Sequence, residues 1–346
     1  MIRPLRRSDA GCATATAPRC GWWPSKAPSR SRRTARRSSR TCRKRSARCR
    51  STWASPAGPA CIASRILVHT KATTDVLLHG RAHAPQGKPA RQVDVMMKVG
   101  DLTKVLRVFG DRRWREGLGG LSATDPEPFT TMPIVYERAF GGKDTSAIDP
   151  EKHVWDRRNP IGTGFAAEAR QLVNQPLPNI EDPRDLVTSW KQRPRPAGFG
   201  PIARDWSPRL ELSGTYDEAW HDERRPLLPV DFDERFHQSA PIDQQTERYL
   251  RGGEAVELFH LTASGYLRFT LPRVAIGFVT RIAGHLTGHP ARLHTVLIEP
   301  EHPRVTMVWH TKLACHHDVH ALEWTRVFQK KRIGRRAGTT PPAVGS

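Results

Sequence analysis

The sequence predicts a mainly β protein: sandwich-like antiparallel sheets, with short helices carried in a long middle region rich in Pro and Gly. Three observations predict it. Apolar residues recur at every second position in several short runs after residue 66. Helix signatures are few and brief. The stretch from 127 to 245 keeps no sustained period of either kind, and it is too long for a single connecting loop.

The elements follow in order. Val93, Val95, Met97 and Val99 alternate with Asp94, Met96 and Lys98, which gives a strand one mostly apolar face. TKVLRVFG (103–110) comes directly after and predicts its neighbour in the same sheet. In the middle region TYDEAWHDERRP (215–226) is the best helix: Thr215 and Glu218 have capping-box spacing, Tyr216, Ala219 and Trp220 share a face, and Pro226 ends it. VELFHL, GYLRFTLP and VAIGFVTRI extend the strand series. LHTVLIEP and RVTMVWH, separated by residues 301–303, predict a hairpin, and LEWTRVF closes the series.

Charge divides the chain into unequal parts. The formal net charge is +22, but residues 1–65 hold 17 Lys and Arg against the single acid Asp9. Five of the six cysteines lie there too. This segment has no Val, Phe, Tyr, His, Asn, Gln or Glu, so it carries no hydrophobic period and cannot offset its conformational entropy by burial. It reads as a basic low-complexity segment, disordered or translated out of frame. Residues 66–330 form the β-rich domain, and 331–346 a basic flexible tail. No signal peptide or membrane-spanning run is evident, and the body, with Cys315 alone, reads as cytoplasmic.

Chemistry-bearing clusters are sparse. There is no phosphate loop, nucleophile elbow or H-E-x-x-H. HTKLACHHDVH (310–320) offers His310, Cys315, His316, His317, Asp318 and His320, yet lacks the paired spacing of structural zinc sites, and a polar loop is the better reading. Asp231 and Asp233 flank Phe232; together they could hold a divalent metal or do acid–base work, but a cap for the following DERFHQ is preferred. GGKDTSAIDPEKHVWDRRNPIGTGF (141–165) has the glycines of an anion cradle without its strand–Gly–helix context. No cofactor and no metal are expected.

A resemblance covers about residues 67–328. VFGDRRW (108–114), MPIVYERAFGG (132–142), NPIGTGF (159–165), LPNIEDP (177–183), PAGFGPIARDW (196–206), GTYDEAW (214–220), LPVDFDERFHQSAPIDQQ (228–245) and RGGEAVELFHL (251–261) occur in this order. KATTDVLLHGRAHAP (71–85) joins them. Together they resemble a large bacterial family known as a domain of unknown function. Its genes sit beside those for VgrG spike and PAAR tip proteins of the type VI secretion system. The resemblance implies a non-catalytic adaptor or chaperone that binds the N-terminal segment of an effector protein and helps load it onto the spike. A metal-dependent hydrolase or transferase using Asp231 and Asp233 is the alternative, and nucleic-acid binding through the basic arm a further one, not expected. Shaped Pro/Gly loops with aromatic and Arg anchors suit a preorganised binding surface. The candidate partner-binding residues are Phe199, Arg204, Trp206, Tyr216, Trp220, Asp231, Phe232 and Asp233. The family pattern is ordinary β-rich sequence where residues 1–65 stand here, so an unpaired edge is expected at 71–78.

Overall fold

A computed structural model describes residues 14–16, 70–313 and 319–329. Twelve strands build its three larger sheets: β1 (Thr14–Thr16), β2 (Asp75–Leu78), β3 (Gln92–Val99), β4 (Leu102–Phe109), β5 (Ile180–Glu181), β6 (Ala255–Phe259), β7 (Tyr266–Thr270), β8 (Ile276–Ile282), β9 (His285–Pro290), β10 (Arg292–Glu299), β11 (Arg304–His310) and β12 (Leu322–Gln329). The orders are β1-β11-β10-β2, β5-β4-β3-β6-β7 and β9-β8-β12. Within them every pairing is antiparallel except β2 with β10. Helical structure is limited to α1 (Glu218–Glu223) and short 3-10 turns among the described residues, so the protein is mainly β, as the sequence predicts. Of the 1–65 segment, only β1 is described; the 331–346 tail lies outside the described residues.

One core joins the facing sides of the first two sheets. Val93, Val95, Met97 and Val99 of β3 meet Val76 and Leu78 of β2, Val296 and Ile298 of β10, and Phe278 of β8. Gln92 and Asp94 point outward, so the period-2 pattern read from sequence is the pattern of burial. Burying each such side chain contributes about 1.5–3 kcal/mol. A one-residue slip would turn these four buried side chains of β3 away from the core, which fixes its register.

Strand β10 shows no alternation. Every residue from Leu293 to Glu299 is buried. The cause is a second layer: Leu77, Leu297 and Val308 pack on Ala240, which covers the face turned away from the main core. The same region closes β2. Leu78 N donates to Phe199 O at 3.1 Å, Gln244 Nε2 donates to Val76 O at 2.8 Å, and Asp75 bridges Gln245. The edge expected to be open at 71–78 is therefore covered, because two segments of the middle region, around Phe199 and Gln244, supply the missing hydrogen bonds.

Candidate functional site

The 196–206 loop divides its aromatic residues from its charges. Phe199 is fully buried and Trp206 is 2 % exposed, and both belong to the main core. Trp206 meets the Tyr136 ring edge-on, with centroids 5.5 Å apart. Tyr136 also explains Gly198: a Cβ there would lie 2.9 Å from the ring. The loop's unusual string thus serves close passage through the interior. Phe199 and Trp206, expected as partner anchors, are core residues that a partner cannot reach in the folded state. Arg204, between them in sequence, is exposed.

The buried guanidinium of Arg209 links this loop to the next segment. Its Nη1 donates to Ile202 O at 2.6 Å, and its Nε and Nη2 donate to Phe236 O at 3.0 and 2.8 Å. Between these anchors runs an excursion, residues 214–236. Asp231 fixes its base: the carboxylate accepts from Thr215 N at 2.9 Å and from Thr215 Oγ1 at 2.7 Å. Those two donors hold the Asp231 carboxyl below the usual carboxylate range. Helix α1 is capped by Asp217, whose Oδ1 accepts from Trp220 N at 2.8 Å. The capping role assigned to Thr215 in the sequence belongs to Asp217, because Thr215 is held by Asp231. Trp220 Nε1 donates to Leu227 O at 2.8 Å, and Tyr216 packs edge-on against Trp220 at 4.7 Å.

Asp233 caps the 3-10 turn Glu234–His237 and pairs with Arg235 at 2.6 Å. The Arg235 side chain holds its carboxyl low. The cap read from sequence is in place, and the two carboxylates serve separate local hydrogen bonds. Phe232 packs edge-on against Phe236 and at a tilt against His237, with centroids 5.6 and 5.3 Å apart. Of the eight candidate residues, the excursion therefore carries Tyr216, Trp220, Asp231, Phe232 and Asp233. The same segment exposes apolar side chains absent from the sequence-based set: Leu227, Leu228 and Val230, the last 83 % exposed.

Beneath the excursion lies a polar network that sequence reasoning missed. The Lys71 ammonium bonds Asp75 at 2.5 Å, Thr295 Oγ1 at 2.8 Å and Ser239 Oγ at 3.2 Å. Asp75 also accepts from Ser239 N, Ala240 N and Gln238 Nε2. Burial lowers the Lys71 pKa, and the Asp75 charge opposes the shift. This network seats the chain leaving the excursion onto β2 and β10.

The remaining clusters hold less. His310 is buried on β11 against His294 and Tyr249, with ring centroids 5.1 and 5.9 Å away. Cys315, His316, His317 and Asp318 lie outside the described residues. Among the described residues no group of three or more His, Cys, Asp or Glu is placed to hold a metal ion. A cavity of about 480 Å³ opens between residues 141–146 and 162–166. Around it the amides of Gly142, Gly162, Thr163 and Phe165 donate to main-chain carbonyls, which leaves them unavailable to an anion. No helix among the described residues is long and apolar enough to cross a membrane.

A family model described as "Uncharacterized protein conserved in bacteria (DUF2169)" matches residues 33–310. The match begins inside the low-complexity segment, upstream of the range over which the motifs were read. No curated protein and no solved structure matches the chain.

Proposed function

The chain belongs to the bacterial family DUF2169, and we propose that it is a non-catalytic adaptor that binds a type VI secretion effector through the 214–236 excursion and helps load it onto the VgrG or PAAR spike. One observation carries the binding role. The excursion is closed at its base by Asp231, which holds Thr215, and anchored at its exit by Arg209, which holds Phe236 O, yet it turns Tyr216, Leu227, Leu228 and Val230 to solvent. A surface already fixed loses little entropy on association, so more of its contact energy becomes affinity. Exposed apolar side chains grouped on one short segment suit a protein partner. The motifs quoted from the sequence supply the secretion context, and the cytoplasm is the compartment in which loading would occur.

An enzyme built on Asp231 and Asp233 is the less supported reading. Both oxygens of Asp231 are engaged by Thr215, and Asp233 is engaged by Arg235.

The test is co-purification of the full chain with the effector encoded beside the VgrG and PAAR genes. Val230→Glu and Tyr216→Ala, both at exposed positions, should melt like the parent and retain at least tenfold less effector. Full retention by both variants would remove the excursion from the interface. Failure of the parent chain to bind that effector would end the adaptor reading itself.

A further inference from the structure

The excursion from 214 to 236 differs in charge from the chain that carries it. The whole sequence has a net charge of +22, whereas these residues hold seven Asp and Glu against three Arg, a net −4. Two of the acids are neutralised locally: Asp233 pairs with Arg235 at 2.6 Å, and Glu234 with Lys312 at 3.2 Å. That leaves five carboxylates against Arg224 and Arg225, so the excess is negative. Asp231 is held by Thr215 N and Oγ1, neither of them a cation. Glu218 and Glu223, at the two ends of α1, are exposed and have no hydrogen-bond or ion-pair partner among the described residues.

The exposed apolar side chains of the same segment sit on a backbone of fixed direction. Trp220 and Arg224, one helical turn apart, donate to Leu227 O at 2.8 Å and to Leu228 O at 2.5 Å. Pro229 is buried, and Gly214 passes it so closely that a Cβ there would lie 2.9 Å from the proline ring. Leu228 and Val230, on either side of Pro229, are exposed. The proline thus turns inward while its two aliphatic neighbours turn outward, beside a helix that carries the unpaired glutamates.

We infer that the segment this excursion receives is basic as well as apolar: a stretch of the partner protein in which Lys or Arg stands among aliphatic side chains. The inference rests on the excursion being the effector-binding surface, and it adds the chemistry of what that surface takes. Contact with Leu228 and Val230 supplies the burial, and the surplus carboxylates select the sign of the partner's charge. Glu218 and Glu223 break no existing bond when they engage a cation. An acidic segment would set like charges side by side, and a nucleic acid would bring its phosphates against the same negative excess.

The probes are three fluorescein-labelled ten-residue peptides with the same five Val and with Lys, Gln or Glu between them, titrated with the full chain and followed by anisotropy. The Lys peptide should bind at least tenfold tighter than the Gln peptide. That ratio should fall toward one in the double variant Glu218→Gln/Glu223→Gln, and added salt should shrink it likewise. Val230→Gln should weaken the Lys and Gln peptides together. A ratio near one in the parent chain would overturn the inference, and that arm needs no variant to fold. So would a ratio unchanged in the double variant, Lys-peptide binding indifferent to Val230→Gln, or a Glu peptide whose binding depends on Val230. Effector retention by Tyr216→Ala and Val230→Glu is read separately. Loss of the effector from those variants without any preference for the Lys peptide would therefore end this inference alone and leave the adaptor reading standing.

Discussion

Lys71 and Asp75 form an ion pair of 2.5 Å in which neither side chain reaches solvent. A buried pair adds little net stability over apolar residues, but removing one member strands the other. Lys71→Met should therefore cost about 3–5 kcal/mol in urea unfolding. Asp75→Ala should cost more, because it also orphans the amides of Ser239 and Ala240. If Lys71→Met were neutral, the pair would not be the anchor of this layer.

Acid should weaken the fold before most carboxylates titrate. Burial, with Lys71 and His310 nearby, pushes the His294 pKa down to about 3; burial and neighbouring cations push His310 down to about 4. Both rings are neutral in the folded state at neutral pH. Below the ordinary value of 6.5 the unfolded chain takes up protons that the folded chain refuses, so stability falls as pH drops from 6.5 toward about 4, and His310 stops contributing to the fall once its folded ring protonates. Each ring contributes up to about 1.4 kcal/mol per pH unit. Thermal melts at pH 7, 6 and 5 should show the decline, and His310→Gln should flatten it. An identical slope in that variant would assign the acid sensitivity elsewhere.

Two glycines of one loop should respond differently to alanine. At Gly198 the added methyl meets the Tyr136 ring at 2.9 Å, whereas at Gly200 it stands 3.6 Å away. Gly198→Ala is expected to lose about 1–3 kcal/mol through overpacking. Gly200→Ala should lie within about 0.5 kcal/mol of the parent. Equal melting temperatures for the two variants would mean that the ring moves aside.

Asp231 should govern the mobility of the excursion more than global stability. Asp231→Ala removes the acceptor of both Thr215 donors. Limited proteolysis between residues 214 and 230 should accelerate several-fold while the global melt stays nearly unchanged. Unaltered cleavage would show that Arg209 alone holds the segment.

The sheets were readable because burial on one face imposes a period of two, as Val93 to Val99 shows. Strand β10 lost that period because Ala240 covers its second side, a contact made by residues far away in sequence. The same distance hid the roles of Phe199 and Trp206. An aromatic residue in a Pro/Gly string looks alike whether it anchors a partner or fills a core, and only the packing of the main core, with Tyr136 against Trp206, decides it. Thr215 misled for a related reason: its hydroxyl fits a helix cap, but Asp231, sixteen positions on, claims it. Lys71 gave no signal at all, since a lysine beside threonines reads as surface until its partners are assembled.

That assembly sets a schedule for synthesis. Lys71 and Thr295, which share a hydrogen bond, are 224 positions apart. A ribosome adds about 5–20 residues per second, so roughly 11–45 seconds separate their emergence. Throughout that interval the apolar run Val76–Leu77–Leu78 has left the exit tunnel without the strand it will lie beside. The nascent chain is thus most vulnerable to chaperone capture or aggregation early, and gains its protection only as the last third is made.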